Sequence, residues 1–187
     1  MSHFRRAHIP GGSFFFTVVT ERRAPILCTD TARTFLHTAI RECQRRWPFR
    51  IDALVLLDDH LHALLTLPEG DSHYSARWGW IKKKFTKAYL AAGDSEQALS
   101  ASRIRQRRHG VFQRRFWEHT IRDEDDYARH FDYIHYNPVR HGYVESVQDW
   151  PYSTFHRWVK QGVYPPDWGS KVHGVMEFDD LDITAME

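Results

Sequence analysis

The chain has 187 residues with a formal net charge of +2, and 42% of its residues are hydrophobic, as is ordinary for a globular protein of one domain with a well-formed core. No run approaches the roughly 18 apolar residues of a membrane span, and the N-terminus lacks the apolar stretch of a secretory signal. Cys28 and Cys43 are too few for a disulfide framework, so we expect free thiols in a reducing cytoplasm.

The pattern of apolar residues predicts an alternation of strands and helices. In chain order these are a strand at 13–20, a helix at 29–47, strands at 50–57 and 60–67, a helix at 74–92, a strand at 111–121 and a helix at 123–136. Thr29 or Asp30 is the expected N-cap of the first helix, and a tight turn is expected at Asp58 and Asp59. Because Asn137 precedes a proline, the last helix should stop near that residue.

This β-α-β-β-α-β order, followed by a further helix, is typical of an α+β, ferredoxin-like fold, in which one antiparallel sheet carries helices on one face. We expect residues 1–160 to form a single domain with a basic insert near 93–110. The aromatic segment at 150–159 should pack back on this body. Residues 161–187 should form an acidic, flexible C-terminal tail.

Charge is unevenly distributed along the chain. Residues 77–115 carry eleven Lys or Arg and two Asp or Glu, a net +9, whereas residues 116–187 carry six and fourteen, a net −8. Such a basic block is a candidate footprint for a polyanion, although a solvated basic face gives the same pattern. Aromatic residues interleaved with these charges either stack on unpaired bases or belong to the core. They are Trp78, Trp80, Phe112, Phe116 and Trp117.

The stretch ALVLLDDHLHALLTLPEG places two histidines, His60 and His62, in a predicted strand. Residues i and i+2 of a strand point to the same face, so the two imidazoles project together and can bind one divalent metal. With 13 histidines in 187 residues, about one such pair arises by chance, and a hydrogen-bonded pair on a sheet face is the alternative. The surrounding leucines and valines, among which histidine is unusual, strengthen the signal, but the pair taken alone leaves the hydrogen-bonded alternative open.

A metal site needs at least one further ligand, and the helix at 123–136 offers a candidate. Tyr133 and Asn137 are four residues apart and share a helix face, which lies about 100° from the apolar row and at the margin of the buried stripe. The amide oxygen of Asn137 can bind a hard cation, with the phenol of Tyr133 one turn away. The alternative is a helix end at which Asn137 caps and Tyr133 packs.

Several motifs follow one another along the chain: a hydrophobic strand with HLH, a basic helix, RRFWEH, YIHYNPVRHGYV and WPYSTFHRWV. Together they resemble the REP-associated tyrosine transposases, a subgroup of the single-tyrosine HUH transposases. The resemblance covers roughly residues 10–160. It implies a ferredoxin-like, RNA-recognition-like sheet, His60 and His62 as metal ligands, Tyr133 as the nucleophile and Asn137 as the third ligand. The related insertion-sequence enzymes have Gln at the position of Asn137, so the amide oxygen is kept here with a shorter reach.

By this resemblance the chain is a metal-dependent enzyme that nicks and rejoins single-stranded DNA at the hairpins of palindromic repeats. The Tyr133 oxygen would attack a phosphodiester, giving a 5′-phosphotyrosine and a free 3′-OH. Imidazole ligands alone favour Zn²⁺, whereas the family implies Mg²⁺ or Mn²⁺. We expect the latter, because an incomplete site of two histidines and an amide binds metal weakly. The expected location is the bacterial cytoplasm, at the nucleoid.

The expected DNA-binding residues are lysines of the 74–92 helix and the arginines that follow it. They are Lys82, Lys83, Lys84, Lys87, Arg103, Arg105, Arg107, Arg108, Arg114 and Arg115. A hairpin-binding DNA or RNA regulator with a vestigial metal site is the alternative function, and a structural zinc protein is disfavoured because it lacks a cysteine ligand set. The sequence leaves open whether Tyr133 acts in its own chain or a partner's, as a monomer or a homodimer.

Overall fold

The structure is a computed structural model that describes residues 9–106, 108–178 and 181. Its strands are β1 (Ser13–Val19), β2 (Arg50–Leu56), β3 (His60–Thr66) and β4 (Trp117–Thr120). Its helices are α1 (Asp30–Arg46), α2 (Tyr74–Ala91), α3 (Ala101–Arg105), α4 (Glu124–Arg140) and α5 (Phe155–Lys160). In this part of the chain, every helix is too short or too polar to cross a membrane.

The four strands form one antiparallel sheet in the order β2-β3-β1-β4. The central strands β1 and β3 consist almost wholly of buried residues, such as Phe15 and Leu64, which are paired across the ladder. β2 leads into β3 through a turn at Asp58 and Asp59, closed by Leu57 N donating to His60 O at 2.9 Å. The α+β class, the ferredoxin-like order and the predicted turn are confirmed.

Each face of the sheet has its own hydrophobic core, because side chains alternate along a strand. Phe14 and Phe16 point to the face that α1 and α2 cover, whereas Phe15 points to the face that α4 covers. The expectation that helices lie on one face holds for α1 and α2 and is wrong for α4. The reason is topological: α4 follows the last strand, outside the two β-α-β units, and closes the face that those units leave open.

The predicted strand at 111–121 is reduced to the four residues of β4. Its first part pairs instead with the end of β1, where Phe112 bridges Thr20 and Gln113 N donates to Val19 O at 3.0 Å. This pairing attaches the basic segment before β4 to the sheet.

The last long helix does not stop near Asn137 but continues to Arg140, with Pro138 inside it. A proline in a helix interior costs about 3 kcal/mol. Continuing the helix buries Val139, which is 2% exposed, and burial of an apolar side chain of this kind returns about 1.5–3 kcal/mol. Tertiary packing therefore offsets the local signal and keeps Asn137 on a helical turn.

The aromatic segment at 150–159 packs on the free edge of β2, as predicted. Ser153 forms a bridge with Val55, and Thr154 N donates to Leu54 O at 2.9 Å. The bridge covers backbone groups of an edge strand that would otherwise be open to another chain.

Part of the segment expected as a flexible tail is also packed. Tyr164 and Phe178 are 7% and 5% exposed and belong to the core under α4. Aromatic side chains bury large apolar areas, which explains why this part of 161–178 docks despite the acidic residues around it.

Candidate active site

His60 and His62 lie together on the α4 face of the sheet, as their spacing in β3 predicts. Their ring centroids are 4.9 Å apart, and the residues are 4% and 2% exposed. Thr17, the cross-strand neighbour of His62, places its Oγ1 2.8 Å from His62 Nδ1. Asp59 places a carboxylate oxygen 2.5 Å from His60 Nδ1. Both imidazoles are thus held through Nδ1, which leaves Nε2 as the nitrogen that can face a metal.

The protonation of these groups suits metal binding. Burial holds the pKa of His62 well below its ordinary range, and the charges of His60 and His141 act in the same direction. His62 is therefore neutral at physiological pH, the form in which imidazole binds a metal. Burial alone would raise the pKa of Asp59, but its bonds with His60 and Arg23 outweigh that effect and lower it. The carboxylate that orients His60 therefore stays ionised.

Tyr133 and Asn137 are completely buried, 0% exposed each, and not at the margin of the buried stripe as helical spacing predicts. The Tyr133 ring centroid lies 5.3 Å from that of His62, 5.9 Å from that of Phe15 and 5.5 Å from that of Phe178. The sheet covers one side of α4, and the C-terminal segment, residues 161–178, covers another. Helical periodicity shows one buried stripe, and the second packing partner comes from far along the chain.

Two polar groups near Tyr133 lack a hydrogen-bond partner among the described residues. They are Nε2 of His62 and the side-chain amide of Asn137. A buried polar group without a partner lowers the stability of the folded state by about 1–3 kcal/mol. Such groups in native structures therefore usually have a partner, such as an ion or a water molecule. An imidazole nitrogen and an amide oxygen fit a divalent metal, which is the group that the resemblance implies.

Arg140 and His141, at the end of α4, are site residues that the sequence interpretation missed. The His141 ring centroid lies 5.6 Å from that of His60, and the Arg140 guanidinium lies 5.5 Å from the Tyr133 ring centroid. Both follow Tyr133 by two helical turns, a spacing that places them on its face. Pro138 concealed this signal, because it predicts that the helix ends before them.

Two other tyrosines of α4 lie in different surroundings. Burial, followed by the charge of Asp52, raises the pKa of Tyr127 to about 12, and Asp52 belongs to β2, on the far side of β3 from β1. Tyr136 accepts a hydrogen bond from Met176 N at 3.3 Å. Of these three tyrosines, Tyr133 is the one whose ring contacts the histidine pair.

The C-terminal segment forms a cover over Tyr133. The Phe178 ring centroid lies 5.5 Å from that of Tyr133 and 5.8 Å from that of Tyr136. Arg129 holds this segment, since its guanidinium lies 5.1 Å from the Phe178 ring and donates to Glu177 O at 3.0 Å. The phenol is closed to solvent in this conformation.

α2, α3 and residues 108–114 enclose a basic cleft of about 950 Å³. None of the described residues that line it is Asp or Glu, and its walls include six of the predicted DNA-binding residues. These six are Lys82, Lys83, Lys87, Arg103, Arg108 and Arg114. The cleft adjoins the end of the sheet that carries the histidines, because Gln113 N donates to Val19 O and Val19 is paired with His60.

Other predicted DNA-binding residues lie elsewhere. Lys84 is turned toward α1, where its Nζ lies 3.1 Å from the carboxylate of Glu42. Arg105 and Arg115 do not line the cleft, and Arg107 lies outside the described residues.

The aromatic residues of the basic block belong largely to the core. Trp78 and Phe112 are 2% and 6% exposed, so the core interpretation is right for both. Trp80 and Phe116 are partly buried against the core under α1 and α2, and Trp117 against the core under α4.

Comparison with known proteins gives a consistent result. No family model matches the chain. A REP-associated tyrosine transposase of Haemophilus influenzae is 45% identical over 169 residues, which cover 90% of this chain and 94% of that protein. The REP-associated tyrosine transposase of Escherichia coli is 45% identical over 172 residues, covering 92% and 93%. A solved structure of a REP-associated tyrosine transposase bound to a REP hairpin is 44% identical, covers 96% of both chains and superposes with a TM-score of 0.76. This chain therefore belongs to the family of REP-associated tyrosine transposases.

Proposed function

We propose that this chain cleaves and rejoins single-stranded DNA at REP-type hairpins through Tyr133, in a reaction that depends on a divalent metal. The observation that carries the proposal is the packing of Tyr133 on His62, with ring centroids 5.3 Å apart, in the buried space that also holds the unpaired amide of Asn137. The relative whose structure holds a REP hairpin supports the substrate class. We also propose a location in the bacterial cytoplasm, at the nucleoid; the bacterial origin of the relatives supports the first part of this proposal.

The residues that would hold the metal are His60 and His62 through Nε2 and Asn137 through Oδ1. Bound Mg²⁺ or Mn²⁺ supplies charge that polarises the scissile phosphate. The protein fixes the imidazoles through Asp59 and Thr17, so that the ligand nitrogens are oriented before the metal arrives.

The Tyr133 oxygen attacks phosphorus in line with the departing 3′ oxygen. The bond that forms joins Tyr133 Oη to phosphorus, and the bond that breaks joins phosphorus to O3′. The phenol loses its proton, and the 3′ oxygen takes up a proton as it leaves as a hydroxyl. A phenol has an ordinary pKa near 10, and the positive charge of Arg140, 5.5 Å from the ring, stabilises the phenolate that attacks. The covalent adduct conserves the bond energy, so the strand can be rejoined without ATP.

The basic cleft supports the DNA-binding part of the proposal. Its lysines and arginines come from α2, α3 and the 108–114 segment and attract the phosphates of a hairpin stem. Attachment of this segment to β1 brings the bound duplex to the end of the sheet where His60 lies. The catalytic domain in this proposal is the unit at 1–160, with the C-terminal segment as an added cover.

The test is covalent capture. The full-length protein is incubated with a hairpin oligonucleotide that has a single-stranded flank, together with Mn²⁺ or Mg²⁺, and SDS-resistant protein–DNA adducts are measured. Tyr133→Phe should abolish the adduct while hairpin affinity stays within about twofold. Tyr136→Phe, about one helical turn from Tyr133 on α4, is the matched control and should still form the adduct.

An adduct formed by the Tyr133→Phe variant would show that another residue is the nucleophile. A different outcome bears on the alternative function, a hairpin-binding regulator without catalysis. The observation that favours a regulator is the cover formed by Phe178 over a tyrosine that is 0% exposed. Tight hairpin binding without any adduct, from the wild type and from a Phe178→Ala variant alike, would establish the regulator in place of the enzyme.

A further inference from the structure

A second group of potential metal ligands lies at the other end of α4, away from His60 and His62. It consists of His119 on β4 and of Asp126 and His130 on α4, and the nearest ligand atoms of the three all lie within 4.8 Å of one another. Asp126 and His130 are 5% and 1% exposed, whereas the His119 side chain is 20% exposed. The cluster is therefore buried with one open side.

The donor atoms are arranged around one carboxylate. His119 Nε2 lies 2.8 Å from Asp126 Oδ2, and His130 Nδ1 lies 3.2 Å from Asp126 Oδ1. The two imidazole rings are stacked, with centroids 4.5 Å apart and planes 17° apart. A metal about 2.0–2.2 Å from each of its ligands separates neighbouring ligands by roughly 3–3.5 Å. His119 and Asp126 lie close to that spacing, whereas the stacked His130 ring has to turn before its free nitrogen, Nε2, can reach the same ion.

His130 supplies an independent sign of a missing partner. Its Nδ1 lies 2.8 Å from the backbone oxygen of Asp126, whereas its Nε2 is buried and has no partner among the described residues. One ring nitrogen is thus held by the backbone and the other is unsatisfied, the arrangement typical of a metal-binding histidine before the metal is bound.

The charge of the cluster is also suitable. Burial alone would raise the pKa of Asp126, but hydrogen bonds from Arg122 and His119 outweigh that effect and hold the pKa well below its usual range. Burial lowers the pKa of His130. The cluster therefore presents an ionised carboxylate beside a neutral imidazole, and both are the forms that bind a cation.

We propose that His119, Asp126 and His130 form a second metal site, which takes Zn²⁺ or a related transition-metal ion and joins β4 to α4. Two imidazoles and one carboxylate favour such ions over Mg²⁺, which prefers oxygen ligands. Arg122 competes with the metal, since its Nε and Nη2 lie 3.1 Å and 3.3 Å from the two oxygens of Asp126. Its side chain is 70% exposed and can turn outward when the metal binds.

The site has a structural connection to Tyr133. The His130 ring lies 4.9 Å from that of Phe15, which in turn lies 5.4 Å from that of His62 and 5.9 Å from that of Tyr133. A metal here fixes the part of α4 that precedes Tyr133 against the sheet. The bound metal would stabilise the packing of α4 on the sheet, and its binding does not depend on whether Tyr133 is a nucleophile.

The experiment uses the full-length protein, freed of metal with EDTA, and Zn²⁺ alone as the titrant in calorimetry near pH 7. Binding is measured in a His60→Ala/His62→Ala background, which removes the other histidine pair. We expect one equivalent of Zn²⁺ in this background, weakened at least tenfold by His119→Gln. Arg122→Ala should tighten binding, because it removes a competing cation from Asp126.

The outcomes distinguish a metal site from a cluster whose side chains only hydrogen-bond β4 to α4. Absence of the Zn²⁺ equivalent in the double variant, or equal affinity after His119→Gln, overturns the proposal. Circular dichroism of the metal-free variants shows whether His119→Gln folds. Arg122→Ala changes an exposed side chain and tests the site from the opposite direction, and weaker Zn²⁺ binding in it would also contradict the proposal.

Discussion

At the residue scale, the site depends on groups that hold other groups in place. His60 and His62 are fixed through Nδ1 by Asp59 and Thr17, so neither imidazole can rotate without losing a buried hydrogen bond. The i, i+2 spacing of the histidines and the i, i+4 spacing of Tyr133 and Asn137 were readable in the sequence, because both follow from backbone geometry. The hydrogen-bond partner of His62 could not be predicted from the sequence, since Thr17 lies beside His62 only because β1 pairs with β3.

A buried histidine of α4 predicts a pH dependence of stability. Burial lowers the pKa of His135 to about 3, while its ring nitrogens are bonded to Thr154 Oγ1 at 2.9 Å and Tyr164 Oη at 3.2 Å. The unfolded chain takes up a proton at this residue near pH 6.5, and the folded chain does not. Stability is therefore complete above about pH 6.5 and falls as the pH drops toward 3, with a contribution of about 1.4 kcal/mol per pH unit from this residue.

The measurement is urea unfolding between pH 6 and pH 4.5, in the presence of EDTA. In His135→Gln, the slope of the free energy of unfolding against pH should be smaller by about 1.4 kcal/mol per pH unit. His37→Gln, at an exposed position, is the control and should leave the slope unchanged. An unchanged slope in His135→Gln would mean that His135 does not titrate differently on unfolding. Asp71, whose pKa in the folded chain is lowered to about 2 by its bond with Arg77, contributes equally to the wild type and to both variants, so its effect cancels in the comparison.

At the element scale, helices were readable from periodicity, but their ends and faces were decided by packing. α1 begins after Thr29, whose side chain accepts from Ala32 N, as an N-cap should. α4 passes through Pro138 because burial on both sides of the helix outweighs one missing hydrogen bond. That continuation keeps Asn137 and Arg140 on one helix with Tyr133, and His141 follows as the C-cap. The proline alone predicts that the helix ends before these residues.

The position of lysines on α2 predicts which of them bind DNA. Lys83 and Lys87 line the basic cleft, whereas Lys84 faces Glu42 on α1. Lys83→Ala/Lys87→Ala should reduce the slope of log K against log salt for hairpin binding by about 0.7–0.9 for each phosphate that is no longer neutralised. Lys84→Ala, with the same change of charge per residue, should leave that slope nearly unchanged. If Lys84→Ala changed the slope as much per residue as the double variant does, the cleft would be excluded from the interface.

At the scale of the whole molecule, the C-terminal segment and α4 form one packed unit. Phe178 lies on Tyr133 and Tyr136, and Tyr133 lies on the sheet of its own chain. The first packing closes Tyr133 to solvent, and the second brings the proposed nucleophile and the proposed metal ligands together within one chain.

Removal of the cover should therefore speed the reaction. Phe178→Ala deletes the ring that closes Tyr133, so adduct formation should be several-fold faster with hairpin affinity little changed. Val172→Ala, in the same segment but 89% exposed, is the control. Phe178→Ala should also lower the thermal unfolding temperature, because it removes a buried ring from the core under α4, so the rates are compared at a temperature at which both variants are folded. Equal or slower adduct formation by Phe178→Ala would show that the segment does not restrain Tyr133.

The site within one chain predicts action in cis. A mixture of Tyr133→Phe and His62→Ala proteins should form no more adduct than the sum of the two alone, because neither chain then holds both groups. Restored activity in the mixture would show that α4 docks on the sheet of a partner during the reaction.

The sequence by itself determined the order of strands and helices, the shared face of His60 and His62 and the basic character of the 77–115 block, because these follow from local periodicity and composition. Only the tertiary structure decided the rest: that α4 covers the sheet face opposite α1 and α2, that Tyr133 is fully buried, and that part of the acidic segment packs as a cover. The physical reason is the same in each case. These features depend on which surfaces distant parts of the chain bury against one another, and such packing leaves little trace in the periodicity of either segment.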